Sequence, residues 1–529
     1  MKSKRGKIGL LLVLVFGSTV CADLELKINL EERHQEIDSF GASDAWSINP
    51  AINKWSEAGD EEAIERLADL LFSETKGIGL SAWRFNVGAG SFEQGKASAI
   101  RDPYRRAELL FPHPDSGVDT SKQAGQVRFL KEAYERGVSE FVVFANSSPV
   151  WATKNGLAHP GDGATVGSSN LAPEKVDVFA QFLVNVAEYL RGDLVGVPVN
   201  HISPINEPTW EWEGQSQEGN RYNVEEQKAV YRAVYRALAE AGLSDSVHLD
   251  GAEVVEYGAA LGDSDKIEFD GKIFDGGMNK RGLGLYRNYL DELLGDAEMR
   301  KILGNKISMH GYFTDAHSAR MGRLRDLTWQ NAKAASAEAK VWMSEFCILG
   351  RAGDARSFVG GGFDPDDMDY ALHVGKVIHR DLTRLNASAW HWWLGLTPYD
   401  YKDGLVKIDS SLNADSMEDS KVLWVLGNYS RFVRPGYVRV SLPGVDDLEG
   451  VMASAYRSPE GDRLVVVVVN AGDATEEIEL EVGGIPEGKG IVEQAIYLTN
   501  QDTDLTADSV GDRLYVPKRS VLSLVAEIR

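Results

Sequence analysis

From residue 36 to residue 425 the chain alternates between two hydrophobic rhythms. Short apolar runs that end in polar or aromatic residues open each cycle: EIDSFGASDAW (36–46), GLSAWRFNVG (79–88), EFVVFANSSPVW (140–151), VNHISPINEP (199–208), SVHLDGAEV (246–254), KISMHGYF (306–313), KVWMSEFCI (340–348) and NASAWHWWLGL (386–396). Between them, runs such as EEAIERLADLLFSE (61–74), VDVFAQFLVNVAEYL (176–190) and VEEQKAVYRAVYRALAEAG (224–242) place apolar residues at helical spacing. Eight strand-like segments separated by helices predict a (β/α)8 TIM barrel over residues 36–425. A doubly wound open sheet also alternates, but it does not usually reach eight such units.

The rhythm changes near residue 426. YVRVSLPG, GVMASAYRS, RLVVVVVNA, EEIELEVGG, EQAIYLTN, DRLYVP and VLSLVAEI are short β-rich runs divided by turn signals such as PEGD and PEGKG. They predict an antiparallel β-sandwich side domain over residues 426–529. ADLELKIN (22–29) reads as a further strand, so residues 23–35 are expected to complete that domain from the other end of the chain.

Residues 1–22 read as a signal peptide. Lys2, Lys4, Arg5 and Lys7 precede an apolar run too short to span a bilayer, and Val20-Cys21-Ala22 offers small residues for cleavage. Acylation of Cys21 is the alternative, which Val20 makes a poor fit. No later apolar stretch is long enough to cross a membrane, so a secreted or periplasmic soluble chain is expected. Losing four of the 56 basic residues and no acidic one makes the mature chain four units more acidic than the −24 of the whole. So acidic a surface disfavours nucleic acid and anionic membranes. Once Cys21 has left with the leader, Cys347 has no partner, and stability independent of disulfides is expected.

Barrel enzymes draw their catalytic groups from the C-terminal ends of strands. Two carboxylates stand out there: Glu207 in INEP, ending the fourth segment, and Glu345 in WMSEF, ending the seventh. Most of the 80 acidic residues are solvated surface groups, and for any single Glu that reading is favoured. Two acids on opposed strands, each flanked by apolar residues, instead suit retaining glycoside hydrolysis, where one carboxyl protonates the leaving oxygen while the other attacks the anomeric carbon. Aromatic residues crowd the same ends. In WHWWL (390–394) at least one alternate residue must point outward to the helices.

INEP and SEF resemble the catalytic pair of clan A glycoside hydrolases. FGASDAW, WRFNVG, SSPVWATKNG, HGY and WHWWL, in that order over nearly the whole mature chain, resemble glycoside hydrolase family 30. The resemblance implies Glu207 as acid/base and Glu345 as nucleophile. It implies Arg84 and Tyr312 as groups contacting the nucleophile, and Asn206 as the partner of the sugar 2-hydroxyl. Asp44 and His310 are implied as pocket-floor residues, each with a structural role as the alternative. Trp151 and Trp393 match positions where a ring lines the sugar. Trp210 and Trp212, in the loop TWEWEGQSQEGNRY, are expected to stack on sugar.

NEPTWEWEGQSQEG resembles the endo-β-1,6-galactanase branch of that family, and Asn146 stands where glucosylceramidases carry a Trp. The expected substrate is therefore a β-1,6-galactan, with β-1,6-glucan the runner-up and a saccharide the expected partner of a monomer. A carbohydrate-binding protein on a retired barrel would lack Glu207, Glu345 or Asn206, and all three are present. A phosphate-dependent barrel enzyme would use Gly360-Gly361-Gly362 as its loop, but the acidic DPDD beyond it repels phosphate. No cofactor is expected. No metal is expected either, because His310 has no further ligand at metal-binding spacing in the sequence.

Overall fold

The computed structural model describes residues 24–161, 169–210, 212, 216–262, 288–315, 320–348, 362–509, 511 and 513–529. The expected leader, Cys21 and most of the Gly-rich segment near 360 lie outside these residues.

Strand β1 (Leu24–Glu36) belongs to the side domain, and the barrel follows it. Its strands are β2 (Ser39–Ser43), β3 (Ala82–Val87), β4 (Glu140–Ala145), β5 (His201–Ser203), β6 (His248–Leu249), β7 (Ala252–Val254), β8 (Lys306–His310), β9 (Lys340–Phe346) and β10 (Ala387–Thr397). Each of the eight apolar segments contains a strand, and the fifth contains two. The parallel sheet runs in the order β6-β5-β4-β3-β2-β10-β9-β8-β7. Asp250 and Gly251 join its two end strands covalently. Asp250 N–H donates to Ile202 O at 2.9 Å on one side, and Ser308 N–H donates to Gly251 O at 2.6 Å on the other. The fold is a TIM-like α/β barrel with a second sheet domain.

Local chemistry sets the helices. Asp60 accepts from Ala63 N–H at 3.2 Å and starts Glu61–Phe72, while Asn223 and Glu226 form a reciprocal capping box ahead of Val224–Glu240. Strand β10 shows the division of labour along a barrel strand. Trp390 Nε1 donates to Asp381 of helix Met368–Thr383 at 2.9 Å, and Trp392 lies 6.5 Å from Tyr370 of the same helix, so both face outward. His391 turns inward to Ser39 Oγ at 2.9 Å, and Trp393 meets Trp46 edge-on at 5.3 Å.

The side domain is one continuous nine-stranded sheet in hydrogen-bonding terms, and the pairing does not resolve two separate sheets. Strand β1 lies inside it, antiparallel to Val438–Ser441 and parallel to Glu476–Gly483. RLVVVVVN (463–470) lacks the alternation of a half-exposed strand because both its faces are covered. Leu464, Val466 and Val468 join the side-domain core, while Val465, Val467 and Val469 pack into the barrel cluster.

Asp381 is a fully buried hub. Its Oδ1 accepts from Arg325 Nε at 2.8 Å and Tyr257 Oη at 2.7 Å, and its Oδ2 accepts from Trp390. Removing the carboxylate strands a buried guanidinium, so Asp381→Ala should cost about 3–5 kcal/mol. Urea unfolding should show this as a lower midpoint with unchanged slope.

Candidate active site

The C-terminal strand ends converge on a small network of buried charge. Glu345 on β9 is the register partner of His310 on β8. Arg84 Nη1 donates to Glu345 Oε2 at 2.7 Å, and Tyr312 Oη donates to Oε1 at 2.8 Å, so both oxygens are held. The guanidinium lies 4.3 Å from the Phe144 ring centroid. Burial opposes the charge on Arg84, but Glu345 and Glu253 outweigh it and raise its pKa.

His310 links three carboxylates. Its Nδ1 is 3.2 Å from Glu207 Oε1 and 3.5 Å from Glu345 Oε1, and its Nε2 is 3.0 Å from Glu253 Oε2. Burial by itself would discharge the ring. The three carboxylates overcome it and push the imidazole up to about 10, so at neutral pH both ring nitrogens carry protons. Ser344 Oγ gives Glu253 a second donor at 2.6 Å. Glu207 has its pKa raised, chiefly by burial and further by the charge of Glu345, against the pull of His310. It is the carboxyl suited to carrying a proton.

Ligand atoms of Glu207, His310 and Glu345 all lie within 4.8 Å of one another. The sequence-spacing argument against a metal therefore does not hold in space, because the paired strands β8 and β9 set His310 beside Glu345 and the segment after β5 brings Glu207 to them. Arg84 already sits on Glu345 and competes with any cation for that carboxylate.

A cavity of about 370 Å³ opens above the pair, with Asn206, Trp210, Trp212, Phe313 and Trp393 in its walls. Larger cavities of about 850, 570 and 450 Å³ lie elsewhere in the described structure, and none of these three holds the carboxylates. Trp210 stacks on Phe313 at 6.2 Å and 19°. Trp212 is 6 % exposed, donates from Nε1 to Glu207 O at 3.1 Å and packs against Gly219, where a Cβ would lie 2.3 Å from its ring. It is thus an anchor as much as a wall. The loop residues 211 and 213–215 lie outside the described structure.

The remaining expected residues divide. Asp44 is fully buried and not in the cavity wall, and it accepts from Asn86 N–H at 2.7 Å and Gln126 Nε2 at 2.9 Å. Asn146 and Asn206 are buried, and the Oδ1 of each has no hydrogen-bond partner. Trp151 is not brought to the carboxylates. It lines a separate groove with Phe111 and Phe182, and its Nε1 donates to Phe111 O at 3.3 Å. Sequence reading gave no role to Glu253, Ser344, Arg105, Tyr401 or Glu218, nor did it place Cys347 in the cavity wall. Glu253 carried the same signal as Glu207, an acid at the end of an apolar segment. Arg105 reaches the cavity from the short 3-10 turn Pro103–Arg105 and lies 4.0 Å from the Trp46 ring centroid, which no periodicity announces.

A carboxyl whose pKa burial raises and a second held by cationic and hydroxyl donors, facing one cavity at the mouth of a TIM-like barrel, make a glycosidase-type site. The chain is an O-glycosyl hydrolase. Residues 23–407 match the sequence profile of O-glycosyl hydrolase family 30, and the protein belongs to that family. A conserved exported protein from Bacteroides fragilis is 28% identical, with 94% of this chain and 99% of that one covered at a TM-score of 0.78. The family 30 xylanase C catalytic domain of Talaromyces cellulolyticus is 20% identical (95% and 99% covered, TM-score 0.64). An endo-β1,6-glucanase is 17% identical (96% and 94% covered, TM-score 0.65). Among the described residues no helix is long and apolar enough to cross a membrane.

Burial pushes Asp44, Glu218 and Asp403 each up to about 7, from ordinary values of 3.8, 4.5 and 3.8. The folded chain therefore holds protons that the unfolded chain has released. Their contribution is full below the ordinary carboxylate range and fades as pH rises towards about 7. Unfolding free energy should fall over that window, and Asp44→Asn should flatten the slope in denaturant titrations at successive pH values.

Proposed function

We propose that the protein is a secreted or periplasmic retaining endo-β-glycanase acting on β-1,6-galactan, with Glu207 as acid/base and Glu345 as nucleophile. One observation carries the mechanism: oxygens of the two carboxylates lie within 4.8 Å. Inverting enzymes hold their carboxyls about 6.5–9.5 Å apart to admit water, whereas retaining ones need about 5–5.5 Å. Glu345 attacks the anomeric carbon while Glu207 gives its proton to the departing glycosidic oxygen, leaving a glycosyl ester on Glu345. Glu207, now a carboxylate, takes a proton from water as that water displaces the ester and restores Glu345. Arg84 and Tyr312 orient the nucleophile. Asn206 bonds the 2-hydroxyl in this reading, which its unpartnered Oδ1 in the cavity wall supports.

Residues 1–22 as a leader, 36–425 as the catalytic unit and 23–35 with 426–529 as the side domain complete the reading. The exported relative supports the location. For the substrate, the support is the loop after Glu207 with its two tryptophans, together with the unpartnered Asn146 Oδ1 at the end of β4. Galactose differs from glucose in its axial 4-hydroxyl, and a site built to bond a hydroxyl rejects a sugar that leaves its own group unpaired.

Glu345→Gln should abolish turnover. Glu207→Gln should keep activity on aryl glycosides with good leaving groups, which need little protonation, and azide should speed their deglycosylation. Equal loss in both variants would reverse or remove the assignment.

Product analysis on β-1,6-galactan, β-1,6-glucan and xylan should favour the galactan. Asn146→Ala should lower kcat/KM on galacto-oligosaccharides by about tenfold or more. Wild-type enzyme that cleaves the glucan as fast as the galactan would defeat the substrate reading and leave the mechanism standing.

A further inference from the structure

A cavity of about 850 Å³ lies at the other end of the barrel. Its walls come from the starts of β9 and β10, the end of β1 and strand Val438–Ser441 of the side sheet. Arg439 forms part of these walls and is 7 % exposed. Its Nε donates to Gln35 Oε1 at 2.9 Å and its Nη2 to Asn386 Oδ1 at 2.7 Å, both neutral amide oxygens. Among the described residues no carboxylate comes within ion-pairing distance of it.

A guanidinium buried this way has lost most of its water and gained no opposing charge, an arrangement proteins ordinarily avoid. Arg384, also in the wall, is already engaged, with Asp326 at 2.8 Å and Asp446 at 3.0 Å. Two histidines face the same space, His34 and His379. Burial lowers the pKa of each, and the charge of Arg439 lowers both further. In a chain of net charge −24, this cavity gathers five Lys and Arg side chains against three carboxylates.

We infer that the cavity binds a small ligand carrying an oxyanion, a carboxylate, sulfate or phosphate, seated on the Arg439 guanidinium. A planar guanidinium matches such groups in two-point contact. The volume falls in the range of small-molecule sites, roughly 300–1,000 Å³. The site lies at the opposite end of the strands from Glu207 and Glu345, so the inference is independent of the hydrolytic reading.

Titration calorimetry at constant ionic strength with sulfate, phosphate, glucuronate and glucose tests it on the full chain. At least one oxyanion should bind with a Kd of about 1 mM or tighter, glucose should not bind, and Arg439→Gln should weaken binding about tenfold or more. Glucuronate tighter than sulfate identifies an acidic sugar, and the reverse a free inorganic anion. Because Arg439 also bridges barrel and side sheet, a second measurement avoids the variant: wild-type crystals soaked in selenate should give an anomalous peak on the guanidinium. No peak there, or thermal stabilisation equalled by sodium chloride at the same ionic strength, overturns the inference.

Discussion

The carboxylate of Glu345 is buried among Arg84, Tyr312 and His310, and the geometry of the barrel mouth follows from keeping that charge satisfied. Arg84 reaches it from β3 and His310 from β8, so the ion pair crosses the interior and ties opposite walls of the barrel together. Removing one partner of such a pair typically costs about 3–5 kcal/mol, because the survivor stays buried and unpaired. His310 then faces the opposite problem: a cation with three carboxylates around it. Glu253 on β7 faces its Nε2, and Ser344 on β9 donates in turn to Glu253. Two carboxyls that share an imidazolium and differ in their other neighbours acquire different proton affinities, which is the condition for dividing acid and nucleophile roles.

The same region concentrates backbone strain. Trp46, Glu207, Trp212, Glu253 and Phe313 all have φ between 43° and 66°, a region that side chains other than glycine enter at a cost of order 1–3 kcal/mol each. Glu207, Trp212 and Glu253 are buried, and Trp46 and Phe313 are half-buried in turns. The surrounding hydrogen bonds hold them: Glu207 N–H donates to Glu253 O, and Trp212 Nε1 returns a bond to Glu207 O. Packing elsewhere stabilises a mouth that would not choose this shape by itself. The unpartnered amide oxygens of Asn146 and Asn206 belong to the same pattern, as acceptors held ready instead of satisfied.

Much of this was legible in the chain. Each barrel strand announced itself as an apolar run with a polar end, because a strand buried on both faces leaves no other signature. The polar ends named Glu207 and Glu345. What stayed hidden was long-range. Nothing local shows that SVHLDGAEV splits at Asp250-Gly251 into two short strands serving different neighbours. The β-rich runs after residue 430 could not reveal that they join into one sheet, since strand order depends on partners far away. The ring of Trp151, read from its motif as part of the sugar site, turns to Phe111 and Phe182 because the chain continues into a short turn after β4. The absence of metal-ligand spacing was likewise a one-dimensional observation about a three-dimensional cluster.

The position of β1 imposes an order on folding. It pairs with Ser441 through Asn29 and with Gly483 through the same residue, partners about four hundred residues later in the chain. Closing so long a loop costs entropy that grows only slowly with length, yet contacts between distant segments form late and slow the search. The first strand of the described structure must therefore wait, with both hydrogen-bonding edges open, until the last hundred or so residues can flank it. Leu26, Ile28 and Leu30, which end in the side-domain core, are exposed throughout that wait. Charged neighbours at Glu25, Lys27, Glu31, Glu32 and Arg33 break the apolar pattern and discourage that strand from pairing with other chains in the interval.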